Sequence, residues 1–265
     1  MRLLRFYVKA ATAQVRVLRA IILRDTRTRF GGAGGSLTYF VAIAIPLLHL
    51  LSLMVIPLAF TRTTPLGSNY ALFAATGVLP YILCLYPSRM TMLAISDNAA
   101  LLAFPAVKPP DLIIGRALME IVVALTVTAI FLIILVAGDV DVWPPDPAEA
   151  TVAVLVTIYF GVSLGFISAV LLRLSPGWVF VHLLLIIVMY IGSGAFFLAR
   201  SVPAQIRELM WFNPLFHCVE WLRSAYFVGY GQDMLSKSYV LGFSTVLLLA
   251  GLLGERLVRG RLVMS

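Results

Sequence analysis

Long apolar runs alternate with short polar breaks from residue 37 to residue 257. Six of the runs, over 37–60, 70–92, 112–137, 149–172, 177–198 and 238–257, are long enough to cross roughly 30 Å of hydrocarbon as helices. The pattern predicts an all-α polytopic membrane protein with six transmembrane helices, built as one membrane domain over 1–265. Residues 1–30 have a different period. Wound at about 100° per residue, Arg2, Arg5, Lys9, Arg16, Arg19, Arg24 and Arg27 share one arc, and Leu3, Leu4, Tyr7, Leu18, Ile21 and Ile22 share the other. That is an amphipathic helix for the membrane interface, bases at the headgroups and apolar face in lipid. The glycines of 31–35 then end it and let the chain turn into the first span.

Two connecting segments carry structure of their own. In 93–111, Ser96 or Asp97 can cap a short helix through Leu102, Pro105, Pro109 and Pro110 stop it, and Asp111 can cap the third span. The long segment 199–237 predicts two short helices. Pro203 opens one that runs through Trp211 and Phe212, and Asn213-Pro214 reads as N-cap and first residue of a second that ends near Tyr226. Phe216, Trp221 and Tyr226 beside His217, Glu220 and Arg223 suit an interfacial or re-entrant position before the last span. Glu220 and Arg223 lie one turn apart, close enough to pair.

Composition agrees with a membrane domain. The 265 residues are 61% hydrophobic and 12% charged, where soluble domains carry about 25% charge, and the mean hydropathy is +1.00. The formal net charge of +8 sits at the ends of apolar runs, which fits anionic lipid and gives no reason to expect nucleic acid. Bases gather before the first span, around Lys108, at Arg173 and at Arg256, Arg259 and Arg261. The 138–149 segment has only acids, Asp139, Asp141, Asp146 and Glu149. The bias predicts that both termini are cytoplasmic. Arg16, Arg19 and Arg24 interrupt the stretch where the apolar core of a cleavable signal peptide would lie.

Chemistry is sparse. Glu120 follows Arg116 by one helical turn, which makes an ion pair its simplest role. His49 and His182 are lone histidines in apolar spans and read as core hydrogen-bonding residues, so no intramembrane proton or sodium relay is apparent. Cys84 and Cys218 lie far apart along the chain with no metal spacing, and no disulfide is expected. No nucleophile, zinc or paired-carboxylate motif occurs. Gly231 through Ser238 has the outline of a phosphate loop, but Ser236 stands where its second glycine belongs. The chain therefore holds no ATP site of its own. Gly161-x-x-x-Gly165 permits close helix packing. Tyr39, Phe40, Tyr81, Tyr86, Trp178 and Tyr190 supply rings that either face lipid and core or, in a channel, stack on sugars.

Two motifs carry a resemblance. Arg24-Asp25-Thr26-Arg27-Thr28-Arg29-Phe30-Gly31 is similar to the stretch before the first span of ABC-2-type permeases that export polysaccharide. Asn213 through Ser224, with Pro214, Leu215, His217, Glu220 and Arg223 in register, resembles their segment before the last span. The chain most resembles the capsular-polysaccharide branch of that family. The resemblance implies a homodimer in the bacterial inner membrane that works with two separate ABC ATPase subunits, on which ATP and magnesium act. No cofactor is implied for this chain. It implies ATPase coupling through Arg24, Asp25, Arg27, Arg29, Asp97, Ala100 and Lys108, and channel aromatics at Tyr39, Phe40, Tyr81, Tyr86 and Trp178. It further implies a periplasmic gate at Asn213, Pro214, His217, Glu220 and Arg223. Periplasmic and outer-membrane capsule export proteins are the implied partners, with a glycan as substrate. Export of O-antigen, teichoic acid or another lipid-linked glycan is the neighbouring alternative. A membrane-embedded enzyme using Glu120 or Glu220 comes from a different class, and a non-transporting scaffold is a third reading.

Overall fold

The computed structural model describes residues 12, 14–25, 35–60, 64–230 and 233–264, with side chains for 12, 14–25, 40–55, 64–230 and 233–257. Arg27, Arg29, the glycines at 31, 32 and 34, residues 1–11 of the basic arc and the side chain of Tyr39 lie outside the described residues. Regular structure among the described residues is helical throughout. Helix α1 covers 14–25. It is followed by α2 (Gly35–Phe60), α3 (Tyr70–Asp97), a 3-10 turn (Ala99–Ala103), α4 (Pro109–Ala137) and α5 (Pro147–Leu174). Then come α6 (Trp178–Ile191), a second 3-10 turn (Ala199–Ser201), α7 (Ala204–Trp211), α8 (Pro214–Tyr226) and α9 (Lys237–Met264). Among the described residues α3, α4, α5 and α9 are long and apolar enough to cross a membrane, α6 is a shorter apolar helix, and α2 has 26 residues with an apolar stretch over Phe40–Val55.

The central helix is α3. Asn69 caps it by accepting from the backbone N–H groups of Ala71 (2.8 Å) and Leu72 (3.4 Å), and almost its whole circumference is buried. Helix α5 lies along it at backbone distance. A Cβ built on Gly161 would sit 2.9 Å from the Cys84 carbonyl oxygen, and one on Gly165 would sit 2.6 Å from that of Ser88. The sequence pattern of small residues is thus an α3–α5 seam. Helix α9 repeats the device on the other side of α5, where a Cβ on Gly251 would meet the Phe166 ring at 2.8 Å and the backbone N of Ile167 at 3.0 Å. These pairings advance together, so α3, α5 and α9 run the same way. Arg116 reaching Met90 at 3.3 Å at the start of α4, and His182 and Tyr190 of α6 meeting Ser88 and Tyr81, show that α4 and α6 run the opposite way.

The sequence reading is corrected at three places. The fifth apolar run is not helical over 177–198. Helix α6 has 14 residues, about 21 Å at 1.5 Å each, and stops at Gly192. Gly194 then takes φ +73, a left-handed conformation that glycine adopts without strain, and the chain turns back toward α3. Apolar composition could not reveal this break, although Gly192-Ser193-Gly194 marks it. Second, Ser96 and Asp97 cap nothing, because α3 continues through Asp97 and the short element is the 3-10 turn that follows Asn98. Third, Pro109 and Pro110 open α4 instead of ending its predecessor. Lys108 is its N-cap residue, and Asp111, two residues inside the helix, accepts from the Lys108 backbone N–H at 2.9 Å. Proline lacks the N–H that the first turn leaves unpaired, so both rings fit there. Cys84 and Cys218 are free thiols in the same buried core.

Replacing Gly165 by alanine should cost about 1–3 kcal/mol, because the methyl group meets the α3 backbone, which cannot move away. Gly242 in α9 has open space where its Cβ would be, so Gly242→Ala should be neutral or stabilising. Thermal unfolding in detergent checks both; equal melting of the two variants would mean that the seam is loose.

Candidate functional site

At one end of the bundle, α1 is fastened to the α3–α4 connection. Ile21 is buried against Gly115, where a Cβ would lie 3.1 Å from its Cγ2. The Gln14 amide donates to the Asp111 carboxylate, and Arg24 Nη1 donates to Asn98 Oδ1 at 3.3 Å. Asn98 in turn donates to the Ala94 carbonyl at 3.1 Å. Arg116 stands between two acids, with Glu120 Oε1 2.9 Å from its Nε and Asp25 Oδ2 3.9 Å from its Nη1. All three side chains are buried. The Arg116–Glu120 pair read from helical spacing is therefore present, and Asp25 from α1 joins it. Arg24 and Asp25 point into this joint. Asp97, Ala100, Phe104 and Lys108 lie on the exposed surface of the connection, with Phe104 60% exposed.

Midway along the bundle, rings from three helices meet. Tyr81 of α3 stacks on Tyr190 of α6 with centroids 3.8 Å apart, and His49 of α2 lies edge-on to Tyr81 and Tyr86. His49 Nδ1 and the Tyr86 hydroxyl are 3.2 Å apart. His182 is held between the hydroxyls of Ser88 (3.3 Å) and Ser168 (3.1 Å), so both lone histidines are hydrogen-bonded core residues. Of the aromatics singled out in the sequence, Tyr81 meets Tyr190 directly and Tyr86 joins them through His49. Phe40 is 66% exposed at the start of α2, and Trp178 begins α6 at the end opposite Tyr190.

At the other end, the two short helices form where the sequence places them. Asn213 caps α8 through Leu215 N–H at 3.0 Å, with Pro214 as first residue. Its amide also donates to the Met189 carbonyl at 2.6 Å, which joins the start of α8 to the end of α6. His217 Nε2–H donates to the Trp211 carbonyl at 2.7 Å, and its Nδ1 accepts from Ser236 N–H at 3.2 Å. Burial pushes this imidazole below its usual range, so it is held neutral.

Glu220 and Arg223 do not pair as their spacing suggests. Both Glu220 oxygens accept from the Tyr230 hydroxyl, at 2.7 and 2.8 Å. Arg223 is completely buried and turns to the backbone that follows α6. Nη1 donates to the carbonyls of Gly194 (2.6 Å) and Phe197 (3.2 Å), and Nη2 donates to that of Ala195 (2.6 Å). The guanidinium carbon also lies 4.2 Å from the Phe73 ring centroid. A nearby helix partner was legible in the sequence; a hidden turn full of carbonyls was not.

A second lock was missed entirely. Glu149, read only as a loop acid, accepts from Trp221 Nε1–H and from Lys237 Nζ at 2.8 Å, and Lys237 lies 5.0 Å from the Trp221 ring centroid. Asp146 caps α5 through Glu149 N–H at 3.0 Å. The residues that gave the false phosphate-loop outline thus include Lys237, which ties the start of α9 to the start of α5. Glu120 and Glu220, on which an enzyme reading rests, stand toward opposite ends of α3 and each is engaged by its own neighbours.

Long apolar helices packed through glycine, with short capped helices at one end, define a polytopic helical membrane protein. Its sequence matches the model of the ABC-2 type transporter family over residues 18–227. The chain belongs to that family. It is similar to the polysialic acid transport protein KpsM of Escherichia coli, with 32% identity over 89% of this chain and 90% of that protein. It is also similar to the capsule polysaccharide export inner-membrane proteins CtrC of Neisseria meningitidis and BexB of Haemophilus influenzae. CtrC is 29% identical over 90% of this chain and 89% of its own; BexB is 27% identical over 93% and 92%.

Arg223→Ala should lower stability by about 3–5 kcal/mol, since it strips the donor from buried carbonyls. Arg223→Lys should recover only part, because one ammonium cannot span the same fork. Unfolding in detergent measures both. A second expectation concerns pH. Burial raises the Glu220 carboxyl above its usual range, against the pull of Tyr230 and Arg223. Its contribution to stability is therefore full below the unfolded pKa, about 4.5, and lost as pH rises through the folded value. Glu220→Gln should melt higher than the parent at pH 7, with the gap closing toward pH 4.5. A gap independent of pH would refute that assignment.

Proposed function

We propose that this chain is the membrane-spanning subunit of an ATP-driven exporter that carries capsular polysaccharide across the bacterial inner membrane. The observation that carries the reading is end-to-end similarity to three capsule or polysialic acid export permeases, within a family whose model covers most of the chain. The geometry is compatible with it. Alternating helix directions support six crossings, with α2, α4 and α6 running one way and α3, α5 and α9 the other. On this reading the α3–α4 connection and both termini are cytoplasmic, and α7 and α8 lie at the periplasmic face. The subunit works as a homodimer with two ABC ATPase subunits, and periplasmic and outer-membrane capsule export proteins continue the path. ATP and magnesium act on the partner.

Coupling then has a physical route. An ATPase seated on the exposed Asp97–Lys108 connection pushes a surface that is fastened to α1 through Asn98 and to α4 through Asp111. The buried Asp25–Arg116–Glu120 cluster makes α1 and the start of α4 move together. Glu220 and its neighbours shape the exit.

The test is complementation of a capsule-producing strain that lacks its own permease. Surface glycan should reappear with this chain and its cognate ATPase, and glycan that stays inside the cell would sink the proposal. In the same cells, reporters fused after Ser265 and within Asp139–Asp146 should read opposite sides of the membrane. A cysteine placed at the exposed Ala100 should cross-link to the ATPase; free labelling of that position in the assembled complex would remove the docking role.

A further inference from the structure

Behind α7 lies a polar cleft of about 630 Å³, lined by Arg200, Arg207, Glu220, Tyr230 and Asp233 around the backbone of Gly229. Its volume falls within the roughly 300–1,000 Å³ of small-molecule sites. Arg200 comes from the second 3-10 turn and Arg207 from α7, so one wall carries two guanidinium groups. Neither makes a hydrogen bond or ion pair among the described residues, and the exposed Asp233 carboxylate makes none either. Opposite the arginines, Glu220 is held by the Tyr230 hydroxyl and is 4% exposed. Gly229, at φ +74, has open space where a Cβ would stand, which keeps that side of the cleft clear. The other face of α7 presents Ile206, Leu209 and Phe212, each more than half exposed. Helix α7 therefore has an exposed apolar side that is turned away from the cleft.

We infer that this cleft binds one or two units of a carboxylated sugar chain, with Arg200 and Arg207 taking the sugar carboxylate. Two guanidinium groups with no hydrogen-bonded partner among the described residues match a planar carboxylate through paired N–H donors. The carboxylates and the phenol oxygen supply acceptors for hydroxyl groups, and the Tyr230 ring offers a face for sugar C–H groups. A site for a bare anion has no use for two facing carboxylates. The choice of ligand rests on the exporter reading; the site itself rests on the side chains. It gives the outer end a preference for acidic glycans as they leave.

The test uses the full chain in phosphatidylcholine nanodiscs, with Met234 at the rim of the cleft changed to cysteine. The native thiols at Cys84 and Cys218 are buried, so a polar maleimide reports the introduced one. A trimer of sialic acid should slow that labelling, and an uncharged maltotriose should need about tenfold more to match it. Changing Arg200 and Arg207 together to glutamine should raise the half-protecting concentration of the acidic trimer about tenfold, and changing both to lysine should raise it less. Equal protection by the neutral trimer, no protection at about 10 mM, or undiminished protection in the glutamine variant overturns the inference. Loss of protection when phosphatidylglycerol is added to the nanodiscs overturns it as well, since the occupant is then a lipid headgroup. Failed capsule complementation with protection intact counts against the exporter reading and leaves the cleft standing.

Discussion

The carbonyl oxygens of Gly194, Ala195 and Phe197 are directed into the body of the helix bundle, and one fully buried guanidinium reaches all three. Irregular backbone among apolar helices persists only where protein groups supply the hydrogen bonds that water cannot. Arg223 supplies them, and much of the rest follows. Because the turn is satisfied, α6 can stop after 14 residues. Because Gly77 has no side chain, α3 can pass beneath the Ala195 carbonyl, where a Cβ would lie at 2.1 Å. Because α8 carries Arg223, it must pack inward, and burying α8 on all sides brings Glu220, His217 and Trp221 into contact with Tyr230, Ser236 and Glu149. The end of the molecule containing α7 and α8 is organised around a charge that has no acid as its direct partner.

The all-helical class and the cap of α8 were legible in the sequence, because they depend on hydropathy and local capping chemistry. Asn213-Pro214 is the clearest case, since a side-chain oxygen two residues before a free N–H decides the matter locally. The Arg116–Glu120 pair was legible for the same reason. What was not legible depends on long-range approach. Arg223 and Glu220 satisfy the spacing rule for a pair, yet each has a better partner from another segment, Tyr230 for the acid and three carbonyls for the base. Glu149 and Lys237 are separated by most of α5 and all of α6, α7 and α8, and nothing near either one announces the other. The break at Gly192 was hidden by apolar residues on both sides of it. Hydropathy measures affinity for lipid and says little about where a helix ends inside it.

The two ends of the bundle are built from different interactions, and the difference suits different tasks. The joint between α1 and the α3–α4 connection uses ionic and amide contacts around Arg116, which tie two elements into one body while leaving the surface of the connection exposed. The α7–α8 end uses directional bonds to backbone, which fix the position of a turn. Between them the α3–α5 seam is nearly side-chain-free at Gly161 and Gly165. A displacement applied at one end of α3 reaches the other through a contact with no flexible side chain to absorb it.

The glycine notch for Gly251 and the Glu149–Lys237 pair have a further consequence during synthesis. Helix α9 leaves the ribosome well after α5, so α5 must wait with the groove beside Phe166 empty and with Glu149 lacking its lysine. The nascent protein up to Ser236 is thus an incomplete bundle that exposes one polar and one shape defect on the same helix. Arrival of α9 removes both at once. A chain cut short by a premature stop carries both defects permanently, which gives membrane quality control a physical difference to recognise between finished and unfinished copies.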